Sequence, residues 1–387
     1  MKAAVIFAAS SILCGSVAAQ EAVTTRRIVD VQFPSDYTGA AAPVPDDRLD
    51  QVNGTLMQVK IPRNFLDFRT FSFVGEELSY TASIRMNSAK VSITGTRIAT
   101  DAADDTAPEG AVQSSIGERS ASASKVENGG AYEVTVECVT ETDPKCTDDI
   151  FVIGQLAELL FVGGGTGQPT PISGSAAPLP PGTPFDKDFK FDPPGKLAPN
   201  SGSGVTSTTI YAPSIRFPVE KGPAYLNSQV YGIGGTFGPR GGWTDKRNYA
   251  YPWRDNFCEK RSRKTPACPS GTGHQGVDIR PADHRDVAHW AVAVEDGRVS
   301  NIGVYSVTIL GASGTQYRYL HMKMNRLAVK QGDKVKWGQE LGLISHDFGG
   351  TPTPVHLHFE MLQNVNGKGF KHVPPYSSLV RAYQQGA

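Results

Sequence analysis

Apolar and polar residues alternate with a period of two in several separate stretches of this 387-residue chain. This period is typical of half-buried strands, because successive side chains of a strand point to opposite faces of a sheet. The stretches in the second half are also rich in β-branched and aromatic residues and are separated by glycines. The pattern predicts a mostly β protein with strands over 54–61, 78–86, 90–98, 132–138, 290–294, 304–310, 316–321 and 355–361.

A change of composition divides the chain into two bodies. Residues 163–204 contain nine Gly, nine Pro and four Ser, which is typical of a linker. We therefore expect a β-rich N-terminal domain over 20–162, a linker over 163–204 and a second β domain over 205–387. Within the first domain, the polar stretch 101–130 is expected to be a mobile insertion.

The first nineteen residues have the pattern of a secretory signal peptide. Lys2 precedes an uncharged apolar run from Ala3 to Leu13, and Val17 and Ala19 are placed for cleavage after Ala19. The alternative is an uncleaved membrane anchor, and only in that case do we expect contact with a membrane. The prediction is an exported protein in the periplasm or cell envelope.

Four cysteines remain once the signal is removed, and an even count in an exported chain predicts disulfides. Four cysteines allow three pairings. The sequence-local one, Cys138 with Cys146 and Cys258 with Cys268, is favoured because each pair then falls within one predicted domain.

Charge and histidine distribution narrow the class of function. The chain has 38 Lys and Arg against 38 Asp and Glu, which argues against a nucleic-acid partner, since such proteins carry a basic surplus. All eight histidines lie between 274 and 372. Any histidine chemistry therefore belongs to the second domain.

Two short motifs bring metal-binding side chains together. His274 and Asp278 are four residues apart in a glycine-rich segment, which disfavours a helix there. His356 and His358 lie two apart on a predicted strand and so share one face, although paired surface histidines on an edge strand would give the same pattern. Two imidazoles and a carboxylate with an open fourth position form a ligand set expected of catalytic zinc.

These motifs and two others resemble the lysostaphin-type (LytM-like) zinc metallopeptidase family and occur in that family's order. They are His274-x-x-x-Asp278, Tyr319-Leu-His321, the segment 335–342 and His356-Leu-His358-Phe-Glu360. The resemblance covers roughly residues 225–365 and says nothing about the first domain. It implies a small, mostly antiparallel β-fold with the metal in an open groove.

The resemblance also implies residue roles and an activity. His274, Asp278 and His358 would bind one Zn²⁺ per chain, and His321 and His356 would be catalytic. The domain over 205–387 would then be a zinc metallopeptidase domain that hydrolyses peptide bonds in bacterial peptidoglycan, in stem peptides or cross-links, with a metal-activated water. A long insert, 241–271, departs from the family pattern and leaves the preferred substrate open. Its basic run, 260–264, fits either a solvated loop or a recognition element.

Two other functions fit the same residues. One is a non-catalytic cell-wall-binding or hydrolase-activating protein on the same fold, and the other is a zinc hydrolase with a different substrate. The first domain could be inhibitory, glycan-binding or partner-docking. Fold-level analogy does not decide between these roles.

Overall fold

The computed structural model describes residues 22–30, 46–67, 70–103, 110–165, 185–349 and 351–386. The predicted signal peptide and residues 166–184 of the predicted linker lie outside this part of the chain. The protein is mostly β, as predicted. The elements of the first half are β1 (Thr25–Ile28), α1 (Asp46–Asn53), β2 (Gln58–Pro62), a 3₁₀ turn (Arg63–Asp67), β3 (Ser72–Gly75), β4 (Ser79–Arg85), β5 (Ala89–Thr96), β6 (Ile98–Asp101), β7 (Gln113–Ile116), β8 (Ser120–Glu127), β9 (Gly130–Cys138), α2 (Pro144–Thr147), α3 (Ile150–Ala157) and β10 (Leu159–Gly164).

An antiparallel sheet of six strands forms most of the first half, and we call it the N-terminal sheet. Its strand order is β3-β4-β5-β9-β8-β7. Alternation along β9 separates the two faces, as the sequence pattern requires. Tyr132, Val134 and Val136 join an apolar core, whereas Glu133 and Glu137 point to the other face and are nevertheless buried.

The expectation of a mobile insertion over 101–130 is wrong for the part of it that the structure describes beyond residue 110. Residues 113–116 and 120–127 are the strands β7 and β8, and β8 pairs with β9 along its whole length. Along β8, Ala121 and Ala123 enter the apolar core, while Ser122 and Ser124 share the face of Glu133. Small side chains fit a strand that is buried on both faces, so low hydrophobicity here does not indicate disorder.

The second half continues the β architecture and ends in a helix. Its elements are β11 (Tyr225–Leu226), a 3₁₀ turn (Lys246–Asn248), β12 (Val277–Arg280), β13 (Trp290–Val292), β14 (Gly297–Ile302), β15 (Ser306–Gly311), β16 (Gln316–Leu320), β17 (Met322–Leu327), β18 (Lys334–Val335), β19 (Glu340–Ile344), β20 (Asp347–Phe348), β21 (Thr351–Pro352), β22 (Leu357–Asn364), β23 (Phe370–His372) and α4 (Tyr376–Gln385).

The main sheet of the second half, which we call the C-terminal sheet, has the order β11-β12-β22-β16-β15-β14-β18, with β23 beside β22. One face carries Tyr317, Tyr319, Leu357, Phe359 and Met361 and forms an apolar core with a second sheet of order β13-β19-β17. The opposite face carries the polar residues of β16 and β22. Those polar residues lead directly into the candidate site.

Residues 185–204, which the composition placed in the linker, pack on the second half. The rings of Phe185 and Phe189 lie 5.3 Å and 4.7 Å from that of Tyr383 in α4, and Phe189 also packs edge-on against Trp253 at 4.6 Å. Aromatic anchors within a proline-rich segment thus overcome its tendency to stay unstructured. The ordered second body therefore begins before residue 205.

The N-terminal sheet packs with its polar face on the polar face of the C-terminal sheet. Gln316 donates to Glu133 at 2.7 Å, and Ser124 donates to the backbone oxygen of Phe370 at 2.7 Å. Lys90 donates through Nζ to the backbone oxygen of Ile302 at 2.6 Å. Because buried polar groups need partners, these bonds make the contact specific.

Two disulfides join the cysteines in the favoured sequence-local pairing, Cys138–Cys146 and Cys258–Cys268. The first lies at the end of β9 and the second in the insert before His274. Among the described helices, none has the length and apolar character needed to cross a membrane.

Candidate metal centre

Three side chains from two neighbouring strands converge on one point. Asp278 of β12 lies opposite His358 of β22 in the antiparallel register, and His274 lies just before β12. Nε2 of His274 is 3.0 Å from Nδ1 of His358, and Oδ1 of Asp278 is 3.1 Å from the same Nδ1. Oδ1 of Asp278 is also 3.3 Å from Nε2 of His274. One donor atom from each residue lies within 4.8 Å of the others, a geometry that can hold a metal ion.

Hydrogen bonds on the outer side of each ring orient the nitrogen atoms that face this point. Nδ1 of His274 donates to the backbone oxygen of Asn256 at 2.8 Å, which leaves Nε2 as the inward-facing acceptor. Nε2 of His358 lies 3.0 Å from Oε1 of Glu360, which leaves Nδ1 facing inward. Such outer partners fix the tautomer that a metal-binding histidine needs. The donor set of two imidazole nitrogens and one carboxylate oxygen fits zinc.

Two further histidines adjoin the three donors. Nε2 of His356 is 3.6 Å from Oδ1 of Asp278, and its Nδ1 donates to the backbone oxygen of Pro354 at 2.6 Å. The ring of His321 lies 4.4 Å from that of His356. Nδ1 of His321 has no hydrogen-bond partner among the described residues, although it is buried.

The backbone of His321 adopts a conformation that non-glycine residues rarely take, with φ at 63°. Ser345 donates its backbone N–H to the His321 oxygen at 2.8 Å and helps to hold this geometry. Residues held in sparsely populated backbone conformations cluster at functional sites. The strained position and the unpartnered nitrogen both make His321 a candidate for a functional role.

The pKa values of the four perturbed groups separate them into charged and neutral members. Burial lowers the pKa of His321 well below its usual range and lowers that of His356 to about 4, so both rings are neutral at pH 7. Burial also disfavours the charged forms of His358 and Asp278, but interactions with neighbouring side chains favour those charged forms more strongly. Hydrogen bonds to Asp278 and Glu360 raise the pKa of His358 to about 9, and the adjacent imidazoles hold the pKa of Asp278 well below its usual range. A metal ion would therefore displace a proton from His358.

A turn of the N-terminal sheet lies beside these residues. Arg119 places its guanidinium 4.6 Å from the centre of the Phe348 ring, and Phe348 in turn packs edge-on against His321 at 4.7 Å. On the other side of the turn, Ile116 donates its backbone N–H to the oxygen of Lys264 in the insert at 2.8 Å. The turn between β7 and β8 therefore contacts both the insert and the loop that precedes His356.

All five residues that the sequence singled out lie in one buried cluster. Two side chains of the basic run of the insert form ion pairs with the first half of the chain. Lys264 pairs with Asp149 at 2.7 Å and Arg263 with Glu118 at 3.6 Å, both on the N-terminal body. Of the remaining histidines, 284 and 346 are exposed, whereas 289 and 372 are buried.

The outer side of His358 is surrounded by three residues that the sequence motifs left without a role, Glu360, Arg318 and His372. Oε2 of Glu360 accepts from Arg318 at 2.7 Å and lies 3.2 Å from Nε2 of His372. A signal for Glu360 was present in the chain. Glu360 lies two residues after His358 on β22 and therefore shares the face of His358.

Comparison with known proteins gives one family match. Residues 272–371, roughly a quarter of the chain, match the profile of Peptidase family M23. That segment includes all five site residues. A search of curated proteins by sequence finds no match.

Several solved structures are similar to parts of the chain. LytM of Ruminococcus gnavus ATCC 29149 is 21% identical, with 44% of this chain and 61% of that chain covered and a TM-score of 0.29. Csd3 of Helicobacter pylori is 26% identical, with 27% of this chain and 26% of that chain covered and a TM-score of 0.21. The catalytic domain of lysostaphin from Staphylococcus simulans is 24% identical, with 28% of this chain and 81% of that chain covered and a TM-score of 0.22.

This chain thus spans less than two thirds of the length of the LytM and Csd3 structures, and the similarity is confined to a segment. The family match overlaps most of the region where the sequence motifs resemble lysostaphin-type enzymes and extends a few residues beyond its C-terminal end. Residues 272–371 carry a Peptidase family M23 domain, and the resemblance to the lysostaphin-type metallopeptidases is confirmed for this part of the chain.

Proposed function

We propose that this protein is an exported zinc-dependent endopeptidase that hydrolyses peptide bonds of bacterial peptidoglycan, in stem peptides or cross-links. The observation that carries the proposal is the convergence of His274, Asp278 and His358, whose donor atoms lie within 4.8 Å of one another beside two further histidines. His274, Asp278 and His358 would hold one Zn²⁺. When bound, zinc acts as a Lewis acid and lowers the pKa of water to near neutrality.

The protein's own groups would handle protons and developing charge. His356 is neutral, and its Nε2 faces Asp278 at 3.6 Å, where it can accept a proton from an attacking water. His321 is also neutral and lies beside His356, so a ring N–H can donate to the oxygen on which negative charge develops. A buried setting strengthens both interactions, because little water competes for them.

The substrate class and the location rest on separate arguments. The Peptidase family M23 domain and the likeness of its motifs to lysostaphin-type enzymes support a peptidoglycan peptide as substrate. The pattern of residues 1–19 and the two disulfides support export, since disulfides persist in oxidising compartments.

Metal analysis together with mass spectrometry of the fragments released from purified sacculi tests this function. His358→Ala should lose the metal, because it removes one of three donors. His321→Ala should keep the metal and lose hydrolysis, because it lies outside the donor set. Unchanged release of fragments by both variants would refute the proposal.

A wild-type protein that binds sacculi and zinc but releases no fragment would favour the non-catalytic wall-binding function instead. Cleavage of unrelated folded proteins at a rate similar to that of sacculi would favour a zinc hydrolase with a different substrate. The fragment masses also identify the bond that is cut.

A further inference from the structure

Four buried side chains connect the N-terminal sheet to the candidate metal centre. Glu137 of β9 lies 3.1 Å from Arg318 of β16, Arg318 lies 2.7 Å from Glu360 of β22, and Glu360 lies 3.0 Å from His358. The side chains of Glu137, Arg318 and Glu360 are between 3% and 6% exposed. Burial of this degree means that water cannot replace a missing partner, so each member depends on the next.

Glu360 contacts the nitrogen of His358 that faces away from the metal donors. Its Oε1 accepts from Nε2 at 3.0 Å, while Nδ1 of the same ring faces Asp278. The backbone of Gly276 closes this side of the ring, because a Cβ there would lie 2.8 Å from Nε2 of His358 and 2.9 Å from Cγ of Glu360. The ring is therefore held between a carboxylate and a backbone segment, with its metal-facing nitrogen fixed.

The guanidinium of Arg318 donates hydrogen bonds to two carboxylates. Nη1 donates to Oε2 of Glu360 at 2.7 Å, and Nη2 donates to Oε1 of Glu137 at 3.1 Å. If Glu137 lost its charge, Glu360 would be the one carboxylate among the described residues that still pairs with Arg318 through a charged hydrogen bond. Glu360 would then be a weaker acceptor for His358, because a carboxylate engaged more strongly by one donor attracts another less.

Glu137 is itself fixed by the second half of the chain. The backbone N–H of Val304 donates to its Oε2 at 2.8 Å, and the hydroxyl of Ser306 donates to its Oε1. A Cβ at Gly303 would lie 1.9 Å from the same Oε2, so glycine allows the close approach of this carboxylate. The N-terminal sheet thus inserts Glu137 into a site formed by the other body.

We propose that Glu360 is a positioning residue for the metal ligand His358, and that Glu137 of the N-terminal sheet acts on the same ligand through Arg318. The N-terminal sheet then contributes to metal affinity, although it supplies no ligand. This inference rests on the metal site of the proposed function. It goes beyond that function by assigning the first half of the chain a role in the site.

The test measures the Zn²⁺ affinity of the full-length protein in competition with a chromogenic chelator. Glu360→Gln should weaken zinc binding by about 10-fold to 100-fold, the usual effect of removing the partner of a metal-binding histidine. Glu137→Gln should weaken it less, by roughly 2-fold to 10-fold, because it acts through one more residue. Thermal unfolding of the metal-free proteins shows which variants are folded.

Glu133→Gln is the matched control. Glu133 lies on the same strand and the same face as Glu137, is equally buried, and its charge also interacts with that of Arg318, but its hydrogen bond comes from Gln316 and not from Arg318. The comparison therefore isolates the direct hydrogen bond between Glu137 and Arg318. The Zn²⁺ affinity of Glu133→Gln should stay within about 2-fold of that of the wild type. The double variant Glu137→Gln/Glu360→Gln should bind zinc as weakly as Glu360→Gln alone, because residues acting through one partner are not additive.

Three results would overturn the inference: wild-type affinity in folded Glu360→Gln, equal losses in Glu137→Gln and Glu133→Gln, or additive losses in the double variant. If Glu360→Gln does not fold, Glu360→Asp replaces it, since the shorter carboxylate no longer reaches Nε2 of His358 and the same loss is expected. A wild-type protein that binds no Zn²⁺ would refute the proposed function instead, and the two failures are therefore distinguishable.

Discussion

The disulfide Cys258–Cys268 offers a test of how the insert supports His274. The backbone N–H of Cys258 donates to the oxygen of His274 at 2.9 Å, and that of His274 donates to the oxygen of Glu259 at 2.9 Å. Gly273 lies directly against the bridge, because a Cβ there would be 2.9 Å from Sγ of Cys268. We predict that Cys258→Ser/Cys268→Ser loses stability and also weakens zinc binding.

The expected loss of stability follows from the length of the closed loop. The two cysteines are 10 residues apart, and the chain-entropy relation gives about 3 kcal/mol for a loop of this length. The expected loss in Zn²⁺ affinity is about 10-fold, because His274 would be less firmly oriented. Urea unfolding of the metal-free protein measures the first effect, and chelator competition measures the second.

The other disulfide provides the matched control. Cys138 and Cys146 are 8 residues apart, so Cys138→Ser/Cys146→Ser should lose a similar amount, about 2.5 kcal/mol. Cys138 stays paired with Ala89 in the ladder of β5 and β9, so zinc affinity should remain within about 2-fold of the wild type. Equal zinc affinity in both double variants would refute the prediction that the Cys258–Cys268 disulfide helps to orient His274. Clearly unequal stability losses would refute the loop-entropy account.

Three further predictions concern packing and pH. Gly276→Ala places a Cβ 2.8 Å from Nε2 of His358 and should lower the free energy of unfolding by about 1–3 kcal/mol in urea, with weaker zinc binding; an unchanged protein would contradict the tight fit. Trp253→Ala should cost about 3–5 kcal/mol because the ring is fully buried, whereas Trp243→Ala, at an exposed ring, should stay within about 0.5 kcal/mol. Burial raises the pKa of Asp255 from 3.8 to about 6, so the folded protein holds a proton that the unfolded chain releases. The contribution of Asp255 to the free energy of unfolding should therefore fall by about 2 kcal/mol between pH 4 and pH 6, and Asp255→Asn should remove that contribution.

The alternation of residues was enough to predict most strands that carry the site. The pattern over 132–138 and 316–321 corresponds to β9 and β16, and that over 355–361 to much of β22. It failed over 120–124, where serine and alanine alternate with little contrast in hydrophobicity. That strand, β8, is stabilised by pairing with β7 and β9 and by contact with the second half of the chain. Neither kind of contact is visible in a short window of sequence.

The residues of the candidate site also differ in how far the sequence could relate them to one another. Strand geometry was enough to place His356 and His358 on one face, whereas their grouping with His274 and Asp278 rested on the family resemblance. The pair of Glu137 and Arg318 could not be predicted, because the two residues are 181 positions apart in the chain. Nothing in the local pattern of either residue specifies the other, and only the stacking of the two sheets brings them together.

The stacking of the sheets also explains why the first half and the candidate site are physically inseparable. His358 and Glu360 occupy the same face of β22, and Glu137 of the N-terminal sheet contacts Arg318, which pairs with Glu360 on that face. Removing that sheet would leave Arg318 with one carboxylate in place of two and would expose Glu360 to water. Hydration would weaken the hydrogen bond to His358, because water competes for the same lone pairs. The contribution of the first half is therefore best measured by single substitutions in the intact chain, where the stacking is retained and one charge is changed at a time.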